Sequence, residues 1–171
     1  MKAVTYSEYA PDDNYAKILK VQDIDDPKPK ADEVVFEVKS AALNYNDIWG
    51  MRGQPVPVPL PHVSGSDAAG DVIAVGEDVK NIKVGDKVVS HSNMSCRVCK
   101  ACTDGREFDC VKRTIWGFQT GPNWGAFQEV THLPEVNVSK IPEGVSYDDA
   151  AAASMTILTS WHMLVGRAKI T

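Results

Sequence analysis

All four cysteines of the 171-residue chain fall within one short segment, with the spacing C-x2-C-x2-C-x7-C. They are Cys96, Cys99, Cys102 and Cys110. Four thiolates fill the tetrahedral shell of a zinc ion and leave no position for water or substrate. A closed shell of this kind is typical of a structural metal that folds a loop. The sequence therefore predicts one structural zinc per chain, held by these four residues.

Two other interpretations of the cysteines stay open. A ferredoxin-type iron–sulfur sequence places its fourth cysteine three residues after the third and follows it with proline. Here the gap is seven residues, and Val111 follows. Two disulfides are conceivable in a secreted chain, although three cysteines at such tight spacing are poorly placed to pair. Cysteines arranged as metal ligands fit a reducing cytoplasm, which is the expected location.

The composition indicates a globular chain with a sizeable core. Hydrophobic residues make up 43% of the sequence and charged residues 24%, with a net charge of −5. The negative charge argues against a nucleic-acid partner, which favours a basic face. The sequence has no apolar run long enough to cross a membrane and no signal-peptide core near its start. We therefore expect no nucleic-acid or membrane partner.

Short strands separated by turn residues dominate the first two-thirds of the sequence. We predict strands within residues 2–6, 16–21, 33–39, 68–76, 84–89, 126–131 and 136–141. In the third of these, Val34, Phe36 and Val38 alternate with polar residues. One helical turn is expected at residues 44–49. Many short strands favour a mainly β, barrel-like domain, with the cysteine-containing lobe at residues 91–113 as an excursion.

The end of the chain changes to a helical period. Ser146 and Asp149 have the spacing of a capping box. Five apolar residues then share one helical face, namely Ile157, Leu158, Trp161, Leu164 and Val165. Met155, Thr159 and His162 fall on the opposite face. A helix with apolar or small groups on both sides is expected to be buried on both sides.

The order of the glycine motifs resembles a known superfamily. Residues 65–70 (GSDAAG), 75–76 (VG) and 84–88 (VGDKV) follow the pattern of medium-chain dehydrogenases, that is, zinc-type alcohol dehydrogenases and quinone reductases. The resemblance implies that residues 1–150 form a GroES-like, partly open β-barrel. Residues 151–171 would be the helical start of a connection to a Rossmann domain. That domain would bind NADPH or NADH, so the 171 residues alone are expected to be inactive. A homodimer or homotetramer would be in keeping with such relatives.

The chain departs from the alcohol dehydrogenase pattern at the catalytic zinc ligands. It has Asn44 where those enzymes have the first cysteine, Ser66 where they have histidine, and Met155 where the third ligand falls. Asparagine, serine and methionine are poor zinc ligands. His62 lies four residues before Ser66 and is a candidate replacement, although a histidine in a proline-rich loop is more often an ordinary loop residue.

Without a catalytic zinc, hydride transfer needs an acceptor that is already activated. Quinones and C=C bonds conjugated to a carbonyl are such acceptors. Asn44 and Asn46 are candidate hydrogen-bond donors to the developing oxyanion, and their alternative role is capping a turn or helix. Tyr45 and His62 are candidate proton donors. By the resemblance, Thr159 and Asn44 would contact the nicotinamide, although a helix threonine also bonds its own backbone.

A second likeness concerns residues 115–120, which read IWGFQT. Together with Asn44-Tyr45-Asn46, this segment resembles the crotonyl-CoA and acryloyl-CoA reductase branch. The carboxylating members have Glu where this chain has Gln119, so simple reduction is favoured over reductive carboxylation. Trp116 and Phe118 have the alternative role of core aromatics.

Two further functions remain open at this stage. One is a zinc-dependent alcohol dehydrogenase that uses an unusual ligand such as His62. The other is a non-enzymatic, zinc-stapled module for binding or assembly. The favoured hypothesis is a nicotinamide-dependent reductase of an enoyl-CoA, such as acryloyl-CoA, or of a quinone.

Overall fold

A curled five-stranded antiparallel sheet forms the body of the computed structural model, which describes residues 1–170. Its strand order is β8-β3-β4-β5-β9, and the hairpins β1-β2 and β6-β7 stand beside it. The strands are β1 (Lys2–Thr5), β2 (Lys20–Asp23), β3 (Glu33–Ala42), β4 (Asp67–Val75), β5 (Lys87–Ser90), β6 (Asn93–Met94), β7 (Thr114–Ile115), β8 (Val130–Pro134) and β9 (Val138–Lys140). The helices are α1 (Tyr15–Ile18), α2 (Tyr45–Arg52), α3 (Lys100–Thr103) and α4 (Tyr147–Trp161). The predicted mainly β, half-barrel fold class is confirmed.

Strand β3 organises the core because it lies between β4 and β8. Val34 and Phe36, two of the residues predicted to share a face, are fully buried. They pack with Val72, Leu133 and Trp116 in one cluster. The β3–β4 register shifts between Val35 and Phe36 and again before Ser40. Such irregularities bend a strand and increase its twist, which lets the sheet curl around this cluster.

Two strand predictions were misplaced. Residues 16–21 were expected to be one strand, but Tyr15–Ile18 form a helical turn and β2 begins only at Lys20. The pairing of β2 with β1 sets that start. Residues 126–131 were also expected to be a strand, whereas β8 begins at Val130. The Ala126 amide donates to the Gly65 carbonyl at 2.9 Å instead of joining a regular ladder.

Helix α4 begins as predicted and packs differently from the prediction. The Ser146 hydroxyl accepts the Asp149 amide at 3.1 Å and caps the helix. Only Ala150 and Ala151 are buried, against Ala69 of the sheet. The expectation of burial on both sides is wrong for the described residues, because Ala150 and Ala151 are the only residues of α4 that are buried.

The apolar side of α4 is instead open to solvent. Ile157 is 60% exposed and Trp161 is 65% exposed. The helix continues as a wider π-helical turn at His162–Arg167. Thr171, the last residue of the predicted connecting segment, lies outside the described residues. Among residues 1–170, no helix combines the length and the apolarity that a membrane crossing requires.

A close backbone contact holds the loop at residues 115–120 against the loop before β4. A Cβ atom on Gly117 would lie 1.8 Å from the Gly65 carbonyl oxygen, and Gly117 has φ +74°. Only glycine tolerates both the positive φ and the contact. This contact places the IWGFQT segment beside Ser66 and the start of β4 at Asp67.

Candidate functional site

The four cysteine sulfurs converge in the lobe between β6 and β7. All four lie within 4.8 Å of one another. The Cys99–Cys102 and Cys96–Cys110 sulfur pairs are 3.5 Å apart, and the Cys96–Cys102 pair is 3.9 Å apart. A tetrahedral zinc with bonds of about 2.3 Å places its sulfurs roughly 3.8 Å apart, whereas a disulfide needs about 2.0 Å. The geometry therefore suits four ligands of one metal and does not suit two disulfides.

Backbone amides donate hydrogen bonds to the cysteine sulfurs and stabilise their negatively charged thiolate forms. The Cys96 amide donates to the Cys110 sulfur, and the Cys99 amide donates to the Cys96 sulfur, both at 3.4 Å. Hydrogen bonds from the backbone at Val98 and Cys99 lower the pKa of Cys96 to about 6. The thiolate is the form that binds metal. Arg97 has φ +60°, a left-handed conformation within this tight loop.

A second cluster forms where the end of β3, the start of β4 and α4 meet. The Asn44 side-chain nitrogen donates to Asp67 Oδ2 at 3.2 Å and lies 3.2 Å from the Met155 sulfur. The Asn46 side-chain nitrogen lies 3.3 Å from the same sulfur. The Met155 amide donates to Asp67 Oδ1 at 2.7 Å. Residues far apart in the sequence thus present two amide N–H groups, one thioether and one carboxylate at a single place.

Asp47 fixes the start of α2 beneath this cluster. It is 3% exposed, and its two carboxylate oxygens accept the Asn44 amide at 2.8 Å and the Gly65 amide at 2.9 Å. Burial raises the pKa of Asp47 to about 6, and these two hydrogen bonds oppose the rise. Asp47 therefore joins the Asn44 turn to the glycine loop that leads into Ser66.

The raised pKa of Asp47 predicts a pH-dependent stability. Its unfolded pKa is near 3.9, so the folded state binds the proton more tightly than the unfolded state does. This contribution to stability is fully present below pH ~4 and is lost as the pH rises through about 6. A shift of this size corresponds to ~3 kcal/mol. From pH 4 to 7, the free energy of unfolding of the wild type should fall by ~2 kcal/mol relative to Asp47→Asn, as measured by urea denaturation.

The Asp47→Asn variant should also be less stable than the wild type near pH 7. Its amide nitrogen would face one of the two backbone N–H groups, and a buried donor left unpaired costs ~2 kcal/mol. Asp25→Asn, on an exposed part of the connection after β2, is the matched control and should leave the pH profile unchanged. If the wild type and Asp47→Asn gave parallel profiles, the assigned titration of Asp47 would be wrong.

The other predicted site residues lie apart from the Asn44 cluster. The Tyr45 side chain is 57% exposed, its ring packs edge-on against Trp49, and its hydroxyl lies 3.5 Å from Arg52 Nη1. Thr159 is exposed and lines a cavity of about 640 Å³ between α4 and the cysteine lobe, together with His91 and Arg97. The part of α4 that carries Thr159 therefore borders an open cleft.

His62 is placed in the interior of the domain. Its side chain is fully buried. One ring nitrogen lies 3.2 Å from the Pro59 carbonyl oxygen, and the other lies 3.1 Å from the Gly117 carbonyl oxygen. Burial lowers the pKa of His62, whereas the hydrogen bonds to these two carbonyls oppose the decrease. With both nitrogens facing backbone carbonyls, the ring has no free lone pair directed at a metal in this arrangement.

Comparison with known families shows which family the chain belongs to. Residues 30–143 match the family described as "Alcohol dehydrogenase GroES-like domain". This match covers β3 to β9 together with the cysteine lobe. The chain belongs to the alcohol dehydrogenase GroES-like domain family.

Several relatives share this GroES-like domain. The chain is 34% identical over 154 residues to the crotonyl-CoA carboxylase/reductase of Cereibacter sphaeroides, covering 86% of this chain and 35% of the relative. It is 31% identical over 131 residues to the acryloyl-coenzyme A reductase of Sulfurisphaera tokodaii, covering 77% and 38% respectively. A crystal structure of an NAD-dependent alcohol dehydrogenase superposes with a TM-score of 0.89 at 37% identity, covering 98% of this chain and 47% of that one. The chain thus spans less than half the length of each.

The Asn44 cluster of this GroES-like domain does not suit a catalytic zinc. Amide nitrogens cannot donate a lone pair to the metal, and a thioether is not among the usual zinc ligands. Ser66, at the position of the histidine ligand, has a buried hydroxyl with no hydrogen-bond partner in the described part of the chain. Within residues 1–170, the cysteine cluster is the one group of three or more typical metal ligands that converges.

Two residues at or next to this cluster were not predicted from the sequence. The sequence analysis included Asp67 only as one residue of the glycine motif at 65–70, and it did not predict that the buried carboxylate accepts hydrogen bonds. Ser154 was not considered, and its hydroxyl ties α4 to the Ser90 carbonyl oxygen of β5 at 2.6 Å. Asp67 lies two residues after Gly65 and starts β4, so a carboxylate at that buried position was an available signal. No signal in the sequence marked Ser154.

Proposed function

We propose that this domain is the catalytic part of a nicotinamide-dependent reductase that adds hydride to an activated acceptor without a catalytic zinc. The acceptor class is a C=C bond conjugated to a carbonyl, as in an enoyl-CoA such as acryloyl-CoA, or a quinone. The observation that carries the proposal is the Asn44–Asn46–Met155 cluster, which offers hydrogen-bond donors where a zinc-type dehydrogenase holds its metal. The similarity to the crotonyl-CoA and acryloyl-CoA enzymes supports the same acceptor class.

Asn44 and Asn46 would bind the acceptor oxygen. Each presents a side-chain N–H toward the position occupied by the Met155 sulfur. Neutral donors held in a partly dry site stabilise an oxyanion more than they stabilise a neutral carbonyl. This difference is what lowers the barrier of the chemical step.

A bound dihydronicotinamide would supply the hydride by breaking one of its own C–H bonds, and Thr159 on the cleft side of α4, with Asn44, would help to orient its ring. As a C–H bond forms at the β-carbon of the acceptor, the π electrons of the C=C bond move to the carbonyl oxygen and give an enolate. Asn44 and Asn46 hold that oxygen. The enolate then takes a proton at its α-carbon. Tyr45 remains a predicted proton donor, and its side chain would have to turn away from Arg52 to reach the cleft.

The rest of the chain would support this site. The four cysteines would hold one structural zinc, whose role is to fold the lobe that borders the cleft. We further propose that residues 1–150 form the catalytic domain and that 151–171 lead to a Rossmann domain that binds NADPH or NADH. Such a domain would cover the exposed apolar face of α4, including Trp161. A homodimer or homotetramer in the cytoplasm belongs to the same proposal.

Gln119 favours simple reduction over carboxylation. Its side-chain oxygen accepts the Ile115 amide at 3.0 Å and closes the loop at residues 115–120. An amide in that position lacks the charge and the basicity of the glutamate found in the carboxylating enzymes. We therefore expect no incorporation of CO₂ during turnover.

Zinc content and turnover of the complete gene product test the proposal together. Elemental analysis of protein purified without added metal should give about one zinc per chain, as one closed site holds. Oxidation of NADPH or NADH should accompany addition of acryloyl-CoA, crotonyl-CoA or a quinone. About two zinc ions per chain with chelator-sensitive oxidation of a simple alcohol would favour a zinc alcohol dehydrogenase. One zinc with no turnover of any of these acceptors would favour a non-enzymatic module.

A further inference from the structure

The Met155 sulfur is the common acceptor of two side-chain amides. It lies 3.2 Å from the Asn44 nitrogen and 3.3 Å from the Asn46 nitrogen. A thioether is a weak hydrogen-bond acceptor compared with a carbonyl oxygen. Asn46 is buried and Asn44 is half-buried, so bulk water offers these N–H groups little compensation. Both N–H groups therefore lack a strong hydrogen-bond acceptor in this arrangement.

The carboxylate of Asp67 sets the orientation of the Asn44 amide. An ionised carboxylate only accepts hydrogen bonds. The Asn44 side chain directs its NH₂ group, not its oxygen, toward Asp67 Oδ2, which lies 3.2 Å away. The second hydrogen of that NH₂ group then faces the Met155 sulfur. The same carboxylate accepts the Met155 backbone amide at 2.7 Å and so fixes the main chain on the other side of the contact.

The Met155 side chain is less constrained than its backbone. Its position on α4 is half-buried. A methionine has three rotatable side-chain bonds and adapts to irregular surroundings. The thioether can therefore leave its place without movement of α4, while Asp67 keeps the Asn44 amide in position.

We propose that Met155 is a placeholder for a substrate oxygen. Its thioether occupies the position that the carbonyl oxygen of a thioester or an enone takes up, and the arriving oxygen displaces it. Both amide N–H groups then pass from a weak acceptor to a strong one, and the stabilisation grows as the oxygen becomes an enolate. This inference rests on the proposed function for the identity of the ligand. It assigns Met155 as a positioning residue.

A matched pair of substitutions separates the placeholder role from simple packing. Met155→Leu keeps the volume and removes the acceptor, so the amides are free for a ligand. Met155→Gln keeps the unbranched shape and adds a carbonyl oxygen, which competes with the ligand for the same amides. A net hydrogen bond is worth about fivefold in affinity. Relative to the wild type, Met155→Leu should bind a carbonyl ligand about fivefold more tightly, and Met155→Gln about fivefold more weakly.

The experiment titrates the complete gene product with S-crotonyl-N-acetylcysteamine, without nicotinamide, and follows the side-chain amide signals of ¹⁵N-labelled asparagine. We expect the Asn44 and Asn46 signals to shift together, with affinity in the order Met155→Leu, wild type, Met155→Gln. Met163→Leu, at an exposed position, is the control and should match the wild type. Thermal unfolding of each variant confirms that the fold is intact.

The outcomes of this titration keep the two proposals apart. Equal affinity of the Leu and Gln variants, or unshifted Asn44 and Asn46 signals at saturation, would overturn the placeholder role even if the enzyme reduces enoyl thioesters. Failure of Met155→Leu to bind the probe at millimolar concentration would also overturn the placeholder role. The expected shifts and affinity order, without turnover when a nicotinamide is added, would support the placeholder and remove the proposed reductase function.

Discussion

Replacing Cys102 with serine should abolish zinc binding and expose the lobe between β6 and β7 to proteolysis. Cys102 is buried, and its sulfur lies 3.5 Å from that of Cys99 and 3.9 Å from that of Cys96. A serine hydroxyl is a weak ligand and leaves the tetrahedral shell incomplete. Because the lobe carries few regular hydrogen-bonded elements, metal binding supplies much of its folding free energy. We expect zinc content to fall from about one per chain to near zero.

The thermal midpoint should fall with the zinc. A loss of ~3 kcal/mol corresponds to a drop of about 10 °C for a domain of this size. Differential scanning calorimetry and limited proteolysis measure the global and the local parts of this loss. Thr103→Ser is the matched control, since Thr103 is exposed on α3 and its hydroxyl bonds only the Lys100 carbonyl at 3.1 Å. If Cys102→Ser retained one zinc per chain, the four-cysteine site would be wrong.

The sulfur cluster of the cysteine lobe could be predicted from residue spacing alone. Four cysteines within one short segment can bring their thiolates together through local loop structure, because no pairing of distant elements is needed to assemble them. The sequence therefore predicts the sulfur cluster without knowledge of the fold. The alternating residues of β3 are a second case, since the pattern places Val34 and Phe36 on one face, and the core buries that face.

The Asn44 cluster could be predicted only in part. The family pattern indicated that Asn44, Ser66 and Met155 would lie near one another, because they replace ligands of one metal. The pattern could not indicate that Asp67 binds both Asn44 and the Met155 backbone, since this depends on the angle at which α4 crosses β4. Contacts over a separation such as that between Asp67 and Met155 are set by the packing of whole elements, which local sequence patterns do not encode.

The burial of α4 shows a different limit. The helical period located its apolar face correctly at Ile157 and Trp161. The inference that this face is buried also requires a partner surface, and periodicity alone does not contain one. In the described structure the sheet contacts Ala150 and Ala151, and the large apolar residues further along face solvent. A pattern thus predicts which face is apolar, whereas the rest of the fold decides what covers it.

Replacing Asn46 with alanine should lower kcat/KM for an enoyl-CoA by about 100-fold in the complete gene product. Asn46 is buried, and its side-chain nitrogen points at the Met155 sulfur from 3.3 Å, the position that we assign to the substrate oxygen. Loss of a donor that acts mainly on the enolate should reduce kcat more than it raises KM. Steady-state oxidation of NADPH or NADH with crotonyl-CoA measures both constants.

The companion variant Asn44→Ala should show a similar loss, and the double variant should lose less than the product of the two single effects. The reason is that both amides serve one oxygen, so that removal of either leaves the other poorly placed, and groups that act as a unit are not additive. Asn14→Ala is the matched control, because Asn14 is exposed and its side chain makes no capping hydrogen bond to α1. Multiplicative losses in the double variant would mean that the two amides act on different atoms. Unchanged kcat in Asn46→Ala would remove Asn46 from the site and leave Asn44, tied to Asp67, as the one donor of the pair.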